Sequence, residues 1–382
     1  MPVPYQIPGV GSGWTLYGKI NNLFLKYADI SAWAFSGAAS GEGMGIHDIH
    51  IIPEILFFEA DIQRVRHVSV QTFNDRGMDS LENDYYNMYA TGILERTARL
   101  DLTFWNRRIN FNYRYFSRVY DLDSYLDASG DEVSTIDPAV GQIKELNTSF
   151  SFLLDITNDF QDPTMGFRVN LTQTNPDTES TLTDSEYHVI SQSYNLYIPV
   201  LKFSTIALNY FRSDAIVDKK GTTDTAAIRN TLGLSDCSLL SNPQMQTKCN
   251  EMQTDLINRT LAENQYGTAL SLGGRDRMRG FTLGRFVGSH TKYYGSEFRW
   301  NLDTAVIPFD WLLVKDTRSA LQIAFFHEKG ASGDDEDKLE DELVESNGVG
   351  LRLVSKSGWV FRGDWGKSKE GSQYTLIGHY PW

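Results

Sequence analysis

The chain has 382 residues, of which 41% are hydrophobic, 13% aromatic and 22% charged, and 35 basic against 49 acidic side chains leave a net charge of −14. Aromatic and aliphatic residues are too frequent for a disordered chain, and the acidic balance argues against nucleic-acid binding by bulk charge. No run of about 18 apolar residues exists, which excludes membrane-spanning helices but not a membrane barrel, whose strands alternate apolar and polar residues.

The chain opens Met1-Pro2-Val3-Pro4, with no basic region ahead of an apolar stretch. No signal peptide is therefore expected in it, and the start reads as mature or trimmed. Residues 1–12 are expected to be a lead-in without a strand, and Gly9-Val10-Gly11-Ser12-Gly13 a flexible loop. Beyond them, period-two alternation marks candidate strands near 13–22, 28–37, 46–57, 59–73, 90–105, 109–119, 145–158, 165–175, 186–200, 204–217 and 266–274. The best helical candidate, around Gln244 to Glu263, lies inside a long polar connection.

The alternation is sharpest in the last third. Tyr294, Phe298, Trp300 and Leu302 share one face, and Glu297 and Arg299 the other. Leu321, Ile323 and Phe325 oppose Gln322, Ala324 and Glu328. Val349, Leu351 and Leu353 oppose Arg352, and Trp359, Phe361 and Trp365 oppose Arg362 and Asp364. Tyr374, Leu376, Gly378, Tyr380 and Trp382 end the chain on one face. The total is about sixteen strands, near the size expected for a spanning barrel of this length.

Connections alternate between short and long. Short ones fall near 106–108, 162–166, 201–203 and 357–358, and long polar ones near 76–89, 121–144, 176–185, 218–290 and 331–346. An outer-membrane barrel has this asymmetry, with tight periplasmic turns and long external loops. The connection 303–318 is longer than the rule predicts. The charged face cannot line a dry core, because unpaired buried charge costs several kcal/mol per group. It fits a wet or plugged lumen, with the aromatic face towards lipid and Tyr380 and Trp382 in an aromatic girdle. The fold expected is an all-β, antiparallel transmembrane barrel over 13–382.

Cys237 and Cys249, close together in a polar stretch, suit a local disulfide, with two free thiols as the alternative. The acidic run 334–342 lacks the EF-hand pattern and reads as a solvated loop. The histidines are scattered and suggest no metal site. No catalytic arrangement can be placed, so neither an enzyme nor a cofactor is expected.

Leu272-Gly273-Gly274 followed by Met278-Arg279-Gly280-Phe281 is too polar for a lipid-facing strand. It resembles the Arg-Gly-Phe loop of the BamA/TamA/FhaC superfamily (the bacterial surface antigen family) of outer-membrane insertases and translocases. Further motifs agree in order and spacing. Gly295-Ser296-Glu297-Phe298-Arg299 resembles the family's strand twelve, Phe326-His327-Glu328-Lys329-Gly330 strand thirteen, and Gly348-Val349-Gly350-Leu351-Arg352 strand fourteen. Asp155 with Pro163-Thr164-Met165-Gly166 resembles the turn after strand eight, Thr157 standing where the family has Arg.

The resemblance implies that the loop between strands eleven and twelve folds inward. There Arg279 pairs with Glu297 and Glu328, the acceptors a guanidinium fork needs, and Gly280 permits a tight bend. The family usually carries periplasmic POTRA domains ahead of the barrel; residues 1–12 are too few for one, so the chain is expected to be either a barrel-only member or the barrel part of something larger. A weak seam between first and last strands, read here as 13–22 against 374–382 (Trp14, Tyr17, Tyr374, Tyr380, Pro381, Trp382), is the expected functional element. It would insert, export or dock a client protein in outer-membrane lipid. The alternatives are a membrane anchor for partner subunits, or a plugged pore.

Overall fold

The computed structural model describes residues 2–22, 28–136, 141–176, 184–302, 307–311, 314–355 and 360–382. Sixteen strands form the wall. The first half comprises β1 (Pro2–Ile7), β2 (Gly11–Ile20), β3 (Asp29–Gly37), β4 (Ser40–Ile52), β5 (Leu56–Phe73), β6 (Tyr85–Phe104), β7 (Ile109–Leu126) and, after the short β8 (Glu132–Thr135), β9 (Gln142–Thr157). The second half comprises β10 (Gly166–Pro176), β11 (Glu186–Leu201), β12 (Ser204–Lys219), β13 (His290–Asn301) and, after β14 (Ile307–Trp311), β15 (Val314–Gly333), β16 (Val344–Ser355), β17 (Val360–Ser368) and β18 (Gly371–Ile377). Each wall strand pairs antiparallel with its neighbour, and β1 closes the sheet by meeting β18. Among the described residues β8 pairs only with β7, and β14 only with β15.

Two strand assignments differ from expectation, and their errors cancel in the count. The lead-in 1–12 contains the first wall strand, β1, hidden in the sequence by Pro2, Pro4 and Pro8, which are poor strand residues. Residues 266–274 are not a strand. They run beside the later part of the same loop and share one bridge with it, Leu272↔Phe286. The long connection 303–318 contains β14, which with the start of β15 prolongs the hairpin. The connection 357–358 and Trp359 lie outside the described residues.

Side chains alternate in and out as the period requires. On β13 the odd residues Thr291, Tyr293, Glu297 and Arg299 are buried, while Tyr294 and Trp300 are exposed. Leu100, Leu102, Phe111, Tyr113, Phe150, Leu171, Leu196 and Ile198 also stand exposed on the outer wall. Charge inside and apolar surface outside is the reverse of a soluble barrel.

The loop after β12 holds two helices, α1 (Thr225–Thr231) and α2 (Pro243–Tyr266). Asn242 caps α2 by accepting from the Gln244 N–H, Pro243 occupies the first turn, and Gly267 ends the helix at φ 70°. Cys237 and Cys249 form a disulfide, with Cα atoms 5.7 Å apart. They pack with Met252 and Leu256 against Ile93, Tyr120, Tyr125, Val133 and Ile136, so the helical cap lies against the β5–β9 side of the long-loop end.

Candidate functional site

The segment Leu272–Phe286 lies along the inner wall. Gly273 and Gly274 have φ of 106° and 101°, where an L side chain would be strained, and Met278 also turns at φ 56°. These bends aim Arg279 at the sheet. Its backbone N–H donates to Glu328 Oε2 (2.7 Å), and its Nε to Glu328 Oε1 (2.9 Å). Its Nη1 donates to Glu297 Oε2 (3.0 Å) and Asp364 Oδ2 (2.9 Å). The guanidinium also lies 3.5 Å over the Phe326 ring. Arg279, Glu297, Glu328 and Asp364 are all shielded from solvent.

Each carboxylate has a further donor. Glu328 accepts from Tyr293 Oη (2.9 Å) and Ser346 Oγ (2.8 Å). Glu297 accepts from Arg299 Nε (2.6 Å) and from both amino groups of Arg352 (2.6 and 2.5 Å). Asp364 accepts from Arg362 Nη1 (2.5 Å). A buried charge set of this kind is tolerable because its members are paired and hydrogen-bonded.

Gly280 has a different role from the expected tight bend. A Cβ there would stand 2.8 Å from the Lys367 carbonyl carbon and from Ser346 Cβ, so it is the close approach to β16 and β17 that requires glycine. Gly366 answers it from β17, where a Cβ would lie 2.6 Å from the Arg279 carbonyl oxygen. Phe281 packs edge-on against Phe286, with ring centroids 5.0 Å apart, in a cluster with Leu272, Met278, Phe211 and Tyr293.

The same loop reaches both sides of the barrel's closure. Leu283 N–H donates to Pro8 O in the β1–β2 turn (3.2 Å), and Gln373 on β18 reaches Thr282 Oγ1 at 3.5 Å. The closure is thin. Among the described residues β1 pairs with β2 over six residue pairs and β17 with β18 over seven, but β1 meets β18 in one, Gln6↔Leu376. Pro2 and Pro4 alternate along β1, so their missing donors fall on the same edge.

The expected seam is therefore displaced by one strand. Trp14 and Tyr17 lie on β2, where Trp14 pairs with Pro4 and Ser36 and Tyr17 with Trp33. Tyr374 is on β18 and exposed outward. Tyr380 and Trp382 are not in an outer girdle: the chain leaves the sheet after Ile377 and turns into the lumen. There Tyr380 Oη donates to Asp162 Oδ1 (2.6 Å), Trp382 Nε1 donates to Tyr293 Oη (3.1 Å), and Pro381 is buried.

Asp155 and Gly166 flank the turn after β9. Asp155 is buried and accepts from Arg168 Nε (2.6 Å) and the Thr157 N–H (3.0 Å). Arg168, on the opposite strand, thus brings a guanidinium to this turn, where Thr157 carries none. Gly166 has φ 111°, and a Cβ would meet Ile156 O at 2.1 Å. Pro163 is buried in the same turn. The acidic run is less free than expected: Asp334 pairs with Arg76 (2.6 Å), Glu336 with Arg212 (2.5 Å), and Glu340 with Lys292. Among the described residues no group of acids, histidines or cysteines is arranged to hold a metal ion.

No family model and no curated protein sequence matches the chain. Among solved structures, BamA from Haemophilus ducreyi lacking POTRA domains 1–3 superposes with a TM-score of 0.54 at 11% identity, over 99% of this chain and 69% of that one. CdiB from Escherichia coli gives 0.54 at 11%, over 99% and 62%. CdiB from Acinetobacter baumannii gives 0.52 at 10%, over 99% and 58%. The fold is that of the BamA and CdiB barrels. At these identities the likeness carries the fold alone, and the chain spans less than two thirds of either CdiB.

Within this BamA-like barrel, strand parity places Arg299, Arg352, Arg362 and Asp364 inward, but it does not show that Asp364 meets Arg279 and Arg362 meets Arg275 and Asp276 of the loop. Strand parity shows which way a side chain points, but not which neighbours meet across the lumen. Tyr293, on the same inward face of β13, bonds both Glu328 and Trp382.

Proposed function

We propose that the chain is an outer-membrane barrel of the BamA/TamA/FhaC type that inserts, exports or docks client proteins at the seam between β1 and β18. The observation that carries this reading is the single bridge at that seam beside ladders of six and seven pairs. Unpaired strand edges accept a further strand by β-augmentation, with main-chain hydrogen bonds supplying affinity. The exposed apolar outer wall supports residence in lipid. The loop carrying Arg279 supports a rigid half-barrel against which the seam can part, since its three carboxylate partners all lie on β13–β17. The reading assigns no catalysis and no cofactor.

The test is reconstitution. Liposomes containing the purified chain should speed the membrane insertion of an unfolded barrel client over protein-free liposomes. No acceleration with any of several clients, in a correctly folded preparation, counts against the reading.

A scaffold role is the second reading, and one observation favours it. Trp105, Phe160, Met165, Leu201 and Phe203 are exposed on the short turns, an apolar rim suited to a bound subunit or to lipid headgroups. A stoichiometric partner that co-purifies and leaves insertion rates unchanged would favour it. A passive pore is disfavoured, because the Arg279 loop and the C-terminal residues pack inside the wall and the helical cap lies at its long-loop end.

A further inference from the structure

Two concavities adjoin on the wall away from the seam. The first is a groove of about 510 Å³ on the outer face of β5–β11, lined by Leu56, Leu100, Leu102, Phe111, Phe152 and Leu171. Leu100, Leu102, Phe111 and Leu171 stand exposed along it, and the Phe111 and Phe152 ring centroids are 5.2 Å apart. The second is a pocket of about 480 Å³ at the short-turn end of the same strands, between the β4–β5 and β6–β7 turns. Ile55 and Phe104 line the pocket, and Leu56 and Leu102 beside them in the chain line the groove, so apolar wall runs into polar pocket.

The pocket holds charge of both signs. Arg107 lies 3.9 Å over the Phe57 ring, and its Nη2 donates to Asp48 Oδ1 (2.6 Å), with His50 Nε2 at 3.2 Å. Its Nε and Nη1 have no hydrogen-bond partner among the described residues, so one edge of the fork is left to donate. On the facing turn Thr103 Oγ1 donates to Glu54 O (2.9 Å), and the Glu54 side chain is exposed. Trp105 stands at the rim, 63% exposed. Backbone strain is concentrated here. Of the eight non-glycine residues with positive φ among those described, five are Asp48, Glu54, Trp105, Asn106 and Arg107, at 51° to 65°. A turn built for its bend alone favours glycine or asparagine at such angles. Placing Trp105 and Arg107 there keeps their side chains at the pocket, and strain of this kind gathers at ligand sites.

The charges choose the ligand. Asp48 and Glu54 outnumber Arg107, so a purely anionic group meets a surplus carboxylate, while a group with both signs finds a partner for each. A phosphate can accept from Nε and Nη1 of Arg107. An ammonium can lie between Glu54 and the face of Trp105. We propose that this site binds a phospholipid with a phosphoethanolamine headgroup, the head in the pocket and the acyl chains in the groove. In strand order the site lies across the barrel from β1 and β18, so the lipid anchors the wall that the seam does not use. The proposal rests on the membrane reading above and not on the seam.

Native mass spectrometry of the full chain tests it, after release from nanodiscs holding equal parts of phosphatidylethanolamine, phosphatidylglycerol and phosphatidylcholine. Wild type should retain phosphatidylethanolamine about tenfold over either other lipid, and Arg107→Ala should cut that retention about tenfold, as expected for one charge-assisted pair. Glu54→Gln, whose side chain has no ion pair among the described residues, should still bind lipid but shift the preference towards phosphatidylglycerol. It carries the test if Arg107→Ala does not fold. Phe152→Ala should lower retention without changing the preference. Millimolar glycerophosphoethanolamine, which is the head without chains, should not displace the lipid. The proposal is overturned if the folded chain retains all three lipids equally, if Glu54→Gln leaves the preference unchanged, or if the chain-free head displaces the lipid. A chain that enters no bilayer overturns the membrane reading together with this one. Client insertion is not read, so a loss of selectivity in a properly inserted barrel counts against the lipid site alone.

Discussion

Removing the Arg279 side chain is the sharpest perturbation of the lumen. Taking one partner from a buried charge network costs about 3–5 kcal/mol, because the charges left behind lose their compensation. The geometry places Arg279→Ala near the lower end, about 3 kcal/mol. Glu297 keeps Arg299 and Arg352, Asp364 keeps Arg362, and Glu328 keeps Tyr293 and Ser346, so no carboxylate is stranded. Arg279→Lys retains the charge but cannot reach three carboxylates at once, and should fall between wild type and alanine. Exchanging charges between 279 and 297 is a poor test, because an arginine at 297 would face Arg299 and Arg352. A double-mutant cycle of Arg279→Gln with Glu328→Gln is better, with an expected coupling of about 1–2 kcal/mol. Unfolding followed by heat-modifiable gel mobility gives the free energies, and limited proteolysis at 275–288 reports the loop. A loss below about 1 kcal/mol with unchanged protection would refute the reasoning.

Three further outcomes follow from the same contacts. Gly280→Ala should cost about 1–3 kcal/mol and expose the loop to protease, since its Cβ meets the β17 backbone at 2.8 Å; wild-type protection would show that the close approach is not required. Replacing Cys237 and Cys249 by serine opens a loop of 12 residues and should destabilise the cap by about 3 kcal/mol, read as faster amide exchange in α2 with the barrel's own exchange unchanged. Burial, then Asp84, Asp75 and Glu251, push the Asp255 carboxyl up to about 6 from 3.8. The folded cap therefore favours the protonated form, and its docking weakens as pH rises through about 6. Asp255 is half-exposed, so screening limits the effect to below about 1 kcal/mol. Intrinsic-rate-corrected exchange of α2 should be slower at pH 5 than at pH 8, and Asp255→Asn should remove the difference.

Much of the wall was legible because a strand's period of two is a local property. Glu297, Glu328, Arg352 and Asp364 could be placed inside from parity, and the motif order set which loop enters the lumen. What failed depends on non-local facts. Proline spacing concealed β1, although its six pairs with β2 outweigh poor strand propensity. Parity then assigned Tyr380 and Trp382 outward, since it assumes that the strand continues. The chain instead turns at Gly378, where the prolines of β1 offer little and Asp162, Tyr293 and Arg299 offer more. The seam shifted by one strand as a consequence of missing β1, and Trp14 and Tyr17 lost their proposed role with it.

The central claim is that β1 and β18 must part for the protein to act. Gln6→Cys with Leu376→Cys places a disulfide at the one bridge that joins them. The account predicts that the oxidised barrel, folded and inserted in liposomes, loses client insertion and regains it on brief reduction that spares the buried Cys237–Cys249 bond. Full activity in the oxidised barrel would contradict the account.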